Sequence, residues 1–114
     1  MKFRVFLLVD ISIIAAYRRF AGGVYALWYP LKHYQEIRCF LDALYKTQIP
    51  KILRLELAIR TPSEGPSLDG SGMIIINPPY LLRKEINSLA PLLLSRLSQD
   101  PEAKLTNEWI RYES

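Results

Sequence analysis

The sequence predicts an α/β fold in which a sheet that begins with parallel strands ends in an antiparallel edge. Short apolar runs, typical of buried strands, alternate with stretches whose apolar residues repeat at the helical period. Two later strands are separated only by a loop rich in glycine and proline, 61–71, which indicates an antiparallel pair. The predicted order is strand, helix, strand, helix, strand, strand, helix, strand.

The composition indicates one folded domain. Of 114 residues, 50% are hydrophobic and 23% are charged, a balance typical of a protein with a hydrophobic core. The net charge of +4 permits contact with phosphate without requiring it. One cysteine, Cys39, and one histidine, His33, are too few for an internal disulfide, a cysteine-based zinc site or a multi-histidine metal site. We therefore expect a cytoplasmic protein without a metal.

The first apolar run, Phe3–Val9, is interpreted as a buried strand. A signal peptide is disfavoured because Asp10 interrupts the run and no small-residue cleavage site follows, and the run is too short to cross a bilayer. A helix is predicted over 11–20. Gly22 and Gly23 close it, since glycine tolerates the left-handed conformation that often ends a helix.

The next three elements follow from changes in hydrophobic period. Val24–Tyr29 is nearly continuous in apolar and aromatic residues and stops at Pro30, which predicts a buried strand. An amphipathic helix is predicted over 32–46. In Ile52–Arg60 apolar and polar residues alternate, which predicts a strand with one dry and one solvated face.

The stretch Gly70–Tyr80, which reads GSGMIIINPPY, is the one around which the chain is organised. Its apolar run predicts a strand over Met73–Asn77 that is buried on both faces. The strand must stop at Pro78, because proline cannot donate to a sheet. Ligands bind at the carboxyl edge of strands in open α/β sheets, so this position is a candidate site.

The residues that end this strand, Asn77–Tyr80, also match a chemical motif. An Asn-Pro-Pro-aromatic sequence is typical of methyltransferases that act on exocyclic amino groups. There the Asn side chain and the first Pro carbonyl accept hydrogen bonds from the amino group, and the ring stacks on the extruded base. The alternative is a structural turn stiffened by proline.

The last two elements are a helix and a strand. Apolar residues at helical spacing mark the helix, with Pro91 inside the pattern, so we expect a kink or a restart there. These apolar residues are Ile86, Leu89, Ala90, Leu93, Leu94 and Leu97. Lys104–Tyr112 predicts a closing strand that carries Trp109.

Three blocks in this order resemble one family: AYRRFAGGVYALWYP at 16–30, LELA at 55–58 and GSGMIIINPP at 70–79. Together they are similar to the carboxyl-terminal half of the bacterial 23S ribosomal RNA adenine-N6 methyltransferases of the RlmJ type. The resemblance covers 16–112 of one partial domain, 1–114, in which 1–15 is a divergent or truncated start. It implies a Rossmann-like fold and transfer of a methyl group from S-adenosylmethionine to N6 of an adenine in ribosomal RNA.

The resemblance also changes how the central motif is interpreted. In the family the catalytic motif is an earlier Asp-Pro-Pro-Tyr, and Asn77–Tyr80 matches a later block for which the resemblance implies a structural role. Asp10 lies at the end of the first predicted strand, but Ile11-Ser12-Ile13 stands where Pro-Pro-Tyr would follow, and the simpler role for Asp10 is a helix cap. Asp10 and Asn77 are the two catalytic candidates.

The cofactor-binding half of the family is missing from this sequence. No glycine-rich strand–turn–helix opening occurs, and Gly22 and Gly23 lie between a helix and a strand, which is the wrong order for a cofactor loop. We therefore expect no residue of this chain to bind S-adenosylmethionine by itself.

The candidates for contact with RNA are polar, basic or aromatic residues near predicted strand ends. The substrate-binding candidates are Asn77, Pro78, Tyr80, Arg18, Arg19 and Lys32. With Arg83 and Lys84, the basic members form a phosphate-facing rim if their loops converge, and scattered surface charge if they do not. Trp28 and Tyr29 could stack a base, but we expect them to pack in the core; we expect His33 to be exposed and Cys39 to be buried.

The function implied by the resemblance is S-adenosylmethionine-dependent methylation of 23S ribosomal RNA, by an enzyme of which this chain is a truncated or split part that is inactive alone. If the protein is split, a partner chain would supply the missing half. Two alternatives stay open: a non-catalytic RNA-binding or scaffold module, and a self-associating fragment. Loss of half a sheet would expose an apolar edge strand and two apolar faces, which predicts dimerisation or poor solubility.

Overall fold

The computed structural model of the chain describes residues 13–62, 65 and 67–112. Three helices and four strands occur in this part. They are α1 (13–19), β1 (Tyr25–Pro30), α2 (Tyr34–Lys46), β2 (Lys51–Ala58), β3 (Gly70–Ile76), α3 (Leu82–Leu97) and β4 (Lys104–Tyr112). Their order agrees with the predicted order from the first helix onward. The predicted strand Phe3–Val9 and Asp10 lie outside the described residues. No helix in the described part is long and apolar enough to span a membrane.

The four strands form one sheet in the order β1-β3-β2-β4, and every neighbouring pair is antiparallel. The predicted antiparallel pairing of β2 with β3 is confirmed. The predicted parallel part of the sheet is wrong. β1 and β2 do run in the same direction, but β3 lies between them and pairs with both. A helix between two strands predicts their relative direction, whereas it does not predict which strand fills the gap.

The central strand β3 is buried on both sides, as predicted. Ile74 and Ile76 are fully buried on the face that also carries Tyr29 and Ile52. Helices α1 and α2 cover this face, which we call the α2 face. Ile75 is buried on the opposite face, which we call the α3 face. A strand without a polar face fits only in the middle of a covered sheet.

Helix α2 packs through one apolar stripe made by Ile37, Phe40 and Leu44. The Phe40 ring meets the Tyr29 ring edge-on, with centroids 6.1 Å apart. Cys39 lies off this stripe and is exposed, so its predicted burial is wrong. The helix begins at Tyr34, two residues after the predicted start, because His33 has a left-handed backbone with φ 53°.

Strand β2 does not have the solvated face that its alternation predicts. Arg54 and Glu56 lie on the α2 face, where Glu56 is mostly buried. They form an ion pair, and the Tyr29 hydroxyl donates to Glu56 Oε2 at 2.6 Å. Charged side chains can occupy this interior position because each one has a partner of opposite charge or a hydrogen-bond donor.

Helix α3 continues through Pro91 from Leu82 to Leu97, so the predicted restart does not occur. None of its side chains is fully buried, and Leu89 and Leu92 are about half exposed. The helix lies beside β4, where the buried side chain of Asn107 donates to Arg83 O at 2.8 Å. The α3 face is therefore covered mainly beside β4, and Trp28 on β1 is 53% exposed.

Gly72 lets β3 pass directly beneath the Tyr29 ring, and we predict that Gly72→Ala destabilises the fold. An added Cβ would lie 2.3 Å from two carbons of that fully buried ring, so the ring or a strand must move. We expect a loss of about 1–3 kcal/mol in the free energy of unfolding, measured by urea denaturation. Gly22→Ala is the matched control, because its Cβ would meet Phe20 at an ordinary 3.6 Å. Equal stability of the two variants would contradict this account of Gly72.

Candidate functional site

The antiparallel sheet separates the predicted substrate-binding residues into two groups. At one end β1 and β2 finish and β3 begins; we call it the Asp69 end. At the other end β3 finishes and β1 and β2 begin; we call it the Asn77 end. Lys32 lies at the Asp69 end, whereas Asn77, Pro78 and Tyr80 lie at the Asn77 end. The structure therefore does not bring the whole set together.

The Asp69 end is built around one buried carboxylate. Asp69 is fully buried. Its Oδ1 accepts hydrogen bonds from Arg60 Nε at 3.0 Å and Lys32 Nζ at 3.3 Å, and its Oδ2 accepts one from the Tyr34 hydroxyl at 2.8 Å. Its backbone N–H donates to Leu31 O at 3.1 Å. Asp69 thus joins the ends of β1 and β2, and Lys32 neutralises it from a buried position.

A second carboxylate, Glu56, continues this polar network along the α2 face. Arg54 donates to both of its oxygens, at 3.0 and 2.9 Å. This bidentate contact raises the pKa of Arg54. Burial raises the pKa of Tyr29, and its hydrogen bond to Glu56 raises it further. Burial and the hydrogen bond to Asp69 likewise raise the pKa of Tyr34.

This network has a structural role, because its contacts hold strand ends together and leave neither carboxylate free. Each carboxylate is neutralised by a cation and also accepts a tyrosine hydroxyl, so neither Asp69 nor Glu56 is poised to remove a proton from a substrate. The raised pKa values keep both tyrosines protonated as donors. An open concavity of about 600 Å³ adjoins the network along the first turns of α2, and exposed His33, as predicted, lines it.

At the Asn77 end, Asn77 fastens the end of β3 to two other segments. Its backbone has φ 55°, in the left-handed region that Asn tolerates. Its side-chain Nδ2 donates to Ala21 O at 2.6 Å and Gly23 O at 2.9 Å, and its backbone N–H donates to Lys51 O at 3.0 Å. This geometry supports the structural role that the resemblance implies for the block. The role of Asn77 as acceptor of a substrate amino group stays a prediction.

The other predicted residues have separate positions. Tyr29 packs in the core as expected, but the expected packing of Trp28 is wrong, because this edge-strand side chain is half exposed. Arg18 and Arg19 are exposed on α1. Because buried Lys32 lies at the opposite end of the sheet from Arg83, the loops that carry the five basic residues do not converge into one rim.

Sequence reasoning missed the buried polar residues. Asp69 belongs to a segment whose composition predicts an exposed loop, and its partners lie 37, 35 and 9 residues away. Asn107 is a polar position in a strand pattern, but only the approach of α3 explains its burial. The one local signal at Asp69 is its place immediately before the strand.

Gly72, Gly23 and the two carboxylates of the polar network are not available to S-adenosylmethionine. Such a site requires glycine backbone open to the ligand and a carboxylate free to bind a ribose. The space beside Gly72 is filled by Tyr29, and the space beside Gly23 is filled by Tyr25 and Phe20. The two carboxylates of the polar network are already neutralised. Among the described residues there is also no group of three or more His, Cys, Asp or Glu side chains that could hold a metal ion.

Comparison with known proteins gives consistent matches. The family model described as "Ribosomal RNA large subunit methyltransferase D, RlmJ" matches residues 6–111. Ribosomal RNA large subunit methyltransferase J of Escherichia coli (strain K12) is 42% identical over 99 residues, which cover 87% of this chain and 35% of that protein. The protein of the same name from Haemophilus influenzae is 39% identical over 106 residues, which cover 93% of this chain and 38% of that protein.

A solved structure shares the fold. The crystal structure of protein LPL1258 from Legionella pneumophila superposes with a TM-score of 0.79 at 28% sequence identity, covering 91% of this chain and 38% of that chain. The chain thus spans little more than a third of the length of these relatives. The matched part corresponds to the carboxyl-terminal part of the curated relatives.

The raised pKa values of Tyr29 and Tyr34 predict a loss of stability at alkaline pH. Both phenols keep their protons in the folded chain above their ordinary pKa of 10.0, whereas the unfolded chain loses them there. Their contribution to stability is complete below about pH 10 and decreases as the pH rises above it. A pH titration followed by tyrosinate absorbance should show at least two of the seven tyrosines ionising only as the chain unfolds.

The single variant Tyr34→Phe should remove one tyrosine from this late step, and the pair Tyr29→Phe with Tyr34→Phe should remove both. Since phenylalanine keeps the ring, packing is largely retained. An unchanged late step in the double variant would show that other tyrosines cause it.

Proposed function

The chain belongs to the ribosomal RNA large subunit methyltransferase J family, and from this premise we propose that it forms the carboxyl-terminal part of an enzyme that methylates N6 of an adenine in 23S ribosomal RNA. The methyl donor is S-adenosylmethionine. The match of the family model over residues 6–111, with about 40% identity to two relatives that carry this name, is the observation that carries the proposal. The reaction would take place in the cytoplasm, where ribosomal RNA is its partner.

We place the four strands at one end of a Rossmann-like sheet. Two features support this placement. β1 and β2 run in the same direction with α2 between them, as in a strand–helix–strand unit, although β3 occupies the gap. The outer edge of β1 pairs with no other described strand, and the segment Tyr25–Pro30 has no charged residue that would discourage pairing.

The proposed function requires that the cofactor is bound by a part of the enzyme that this chain does not match. Gly23 and Gly72 are packed against protein side chains, so the proposed role of the chain is to complete the fold and to contact RNA. The catalytic Asp-Pro-Pro-Tyr of the family would come from the same unmatched part, supplied by a longer chain or by a partner chain. Asp10 and Asn77 are then not the reacting groups, and the isolated chain is inactive.

The first experiment measures cofactor binding by the isolated chain and methyl transfer by a chimaera. We expect isothermal titration calorimetry to show no binding of S-adenosylmethionine by the 114-residue chain. We then expect activity from a chimaera in which residues 16–112 replace the matched segment of the E. coli relative. The chimaera should transfer a labelled methyl group to protein-free 23S ribosomal RNA, because the chain supplies the family's own carboxyl-terminal fold.

Two controls make this result specific. The E. coli relative lacking its matched segment should be inactive, and the chimaera carrying Gly72→Ala should lose activity in proportion to its loss of folded protein. Micromolar binding of S-adenosylmethionine by the isolated chain would refute the proposed absence of a cofactor site. A folded chimaera that binds the donor but leaves the RNA unmethylated would refute the proposed function.

The uncharged edge of β1 also favours self-association of the isolated chain. Ala26 and Trp28 are exposed on this strand, whereas the opposite edge strand β4 carries Lys104, Glu108 and Arg111. An apolar edge with unpaired backbone groups is a template for a second copy, and charged residues on an edge oppose such pairing.

We predict that sedimentation velocity shows a dimer of the isolated chain at high protein concentration. Ala26→Lys places a charge on the exposed edge and should restore the monomer. The matched control Glu108→Lys lies on β4 and should leave the dimer intact. A wild-type chain that stays monomeric at high concentration contradicts pairing through β1.

A further inference from the structure

A cleft of about 450 Å³ lies on the α3 face at the Asn77 end, away from the polar network of the Asp69 end. Four separate segments form its walls: the turn 78–81, the first turns of α3, the start of β2 and the end of β4. Its aromatic and basic wall residues, which define what we call the aromatic cleft, are Lys51, Tyr80, Arg83, Lys84, Trp109 and Tyr112.

Two of the three aromatic residues of this cleft are largely exposed to solvent. Tyr80 is 97% exposed, so its ring contributes almost nothing to the hydrophobic core. Tyr112 is 57% exposed and lies against Trp109, with ring centroids 4.6 Å apart. Exposed rings grouped in one concavity are unusual on a surface that binds nothing. Aromatic side chains in such a position stack unpaired nucleic acid bases.

The charge of the cleft has one sign. Lys51, Arg83 and Lys84 line it, and no acidic residue is among its described lining residues. Lys51 Nζ lies 5.9 Å from the centre of the Tyr112 ring, which keeps a cation beside the stacking surface. Arg83 Nε donates to the backbone oxygen of Asn107 at 3.2 Å, so the arginine is held in place. Three cations beside open rings complement a polyanion that carries planar bases.

The start of α3 adds unpaired backbone N–H groups to the wall of the cleft, next to Glu85 in its first turn. Leu81 precedes the helix and makes no side-chain hydrogen bond to its first turn. The amino end of the helix therefore has no side-chain cap, and it lies in the wall of the cleft. The apolar, uncharged edge of β1, which favours pairing with a second copy of the chain, is a different surface. The aromatic cleft does not have this uncharged strand edge.

We propose that the aromatic cleft binds an unpaired stretch of RNA, with bases stacked on Tyr80 and on the Trp109–Tyr112 pair and with phosphates at Lys51, Arg83 and Lys84. The chemistry of the cleft selects single-stranded nucleic acid. The choice of RNA over DNA rests on the proposed function. Because the proposed function leaves the reacting groups to the part of the enzyme that this chain does not match, the cleft anchors RNA without taking part in methyl transfer.

The test is fluorescence anisotropy of the 114-residue chain with a labelled single-stranded RNA 12-mer of mixed sequence, without S-adenosylmethionine. We expect Tyr80→Ala to weaken binding about tenfold, since loss of one stacked base has roughly this effect. Lys84→Ala should weaken binding to all sequences and reduce the salt dependence by about one phosphate contact. Because Tyr80 is almost fully exposed, Tyr80→Ala should fold normally, which circular dichroism will check.

Two matched controls lie outside the cleft. Trp28→Ala removes an aromatic ring that is 53% exposed on β1, and Lys46→Ala removes a cation paired with Asp42 on α2. Neither should change affinity more than about twofold. The background variant Trp28→Phe leaves Trp109 as the single tryptophan, and its fluorescence should be quenched when the RNA binds.

The outcomes separate this proposal from the others. Affinity that falls in Arg18→Gln with Arg19→Gln but not in Tyr80→Ala would place RNA on α1 and overturn the proposal. A dimer that requires Tyr80 would mean that a second copy fills the cleft and would also overturn it. Equal binding of a DNA 12-mer would keep the stacking site and overturn the choice of RNA. The methyl-transfer assay of the chimaera is independent of all three.

Discussion

The antiparallel pairing of β3 between β1 and β2 is the constraint on which the rest of the structure depends. It requires a strand that is apolar on both sides, supplied by the run of isoleucines that includes Ile74 and Ile76. It also requires room for the Tyr29 ring, which Gly72 provides. Once this strand is in place, β1 and β2 are aligned in direction but cannot touch, and the chemistry of the chain is divided between the two ends of the sheet.

That division explains why the two ends are so different. At the Asp69 end, where β1 and β2 finish, a buried carboxylate with Lys32 and Arg60 holds the strand ends together. Buried ion pairs of this kind specify an arrangement more than they add stability. At the Asn77 end the backbone connections are made by an amide, which leaves the charged and aromatic side chains around Tyr80 free to face solvent. One end acts as a joint and the other has the properties of a contact surface.

The sequence predicted the elements well because hydrophobic period is a local property. The stripe of Ile37, Phe40 and Leu44 is visible in a window of eight residues, as is the isoleucine run of β3. The order of the strands is not local, since the partner of β1 is 45 residues downstream, and a helix-connected pair of strands suggested a parallel sheet.

The sites depend even more on contacts between distant segments. The motif at Asn77 was found from sequence, but the Ala21 and Gly23 carbonyls, 56 and 54 residues earlier, indicate its structural role. Asp69 carries no local sign of burial beyond its place immediately before β3, and the aromatic cleft joins four segments that no single motif connects. The family resemblance supplied the proposed reaction, which the pattern could not supply, and it does not indicate which end of this sheet would meet RNA.

The turn at Asn77 depends on an intact side-chain amide, because Asn77 Nδ2 donates hydrogen bonds to two backbone carbonyl oxygens. An aspartate at this position would place a carboxylate against two carbonyl oxygens, with no proton to share at neutral pH, so the acidic version of the motif is incompatible with this turn. Asparagine in proteins deamidates to aspartate through a ring closure, in which the next backbone nitrogen attacks the side-chain carbonyl carbon and ammonia leaves. Pro78 has no N–H and cannot complete that ring closure, so the proline that ends the strand also protects the amide that fastens it.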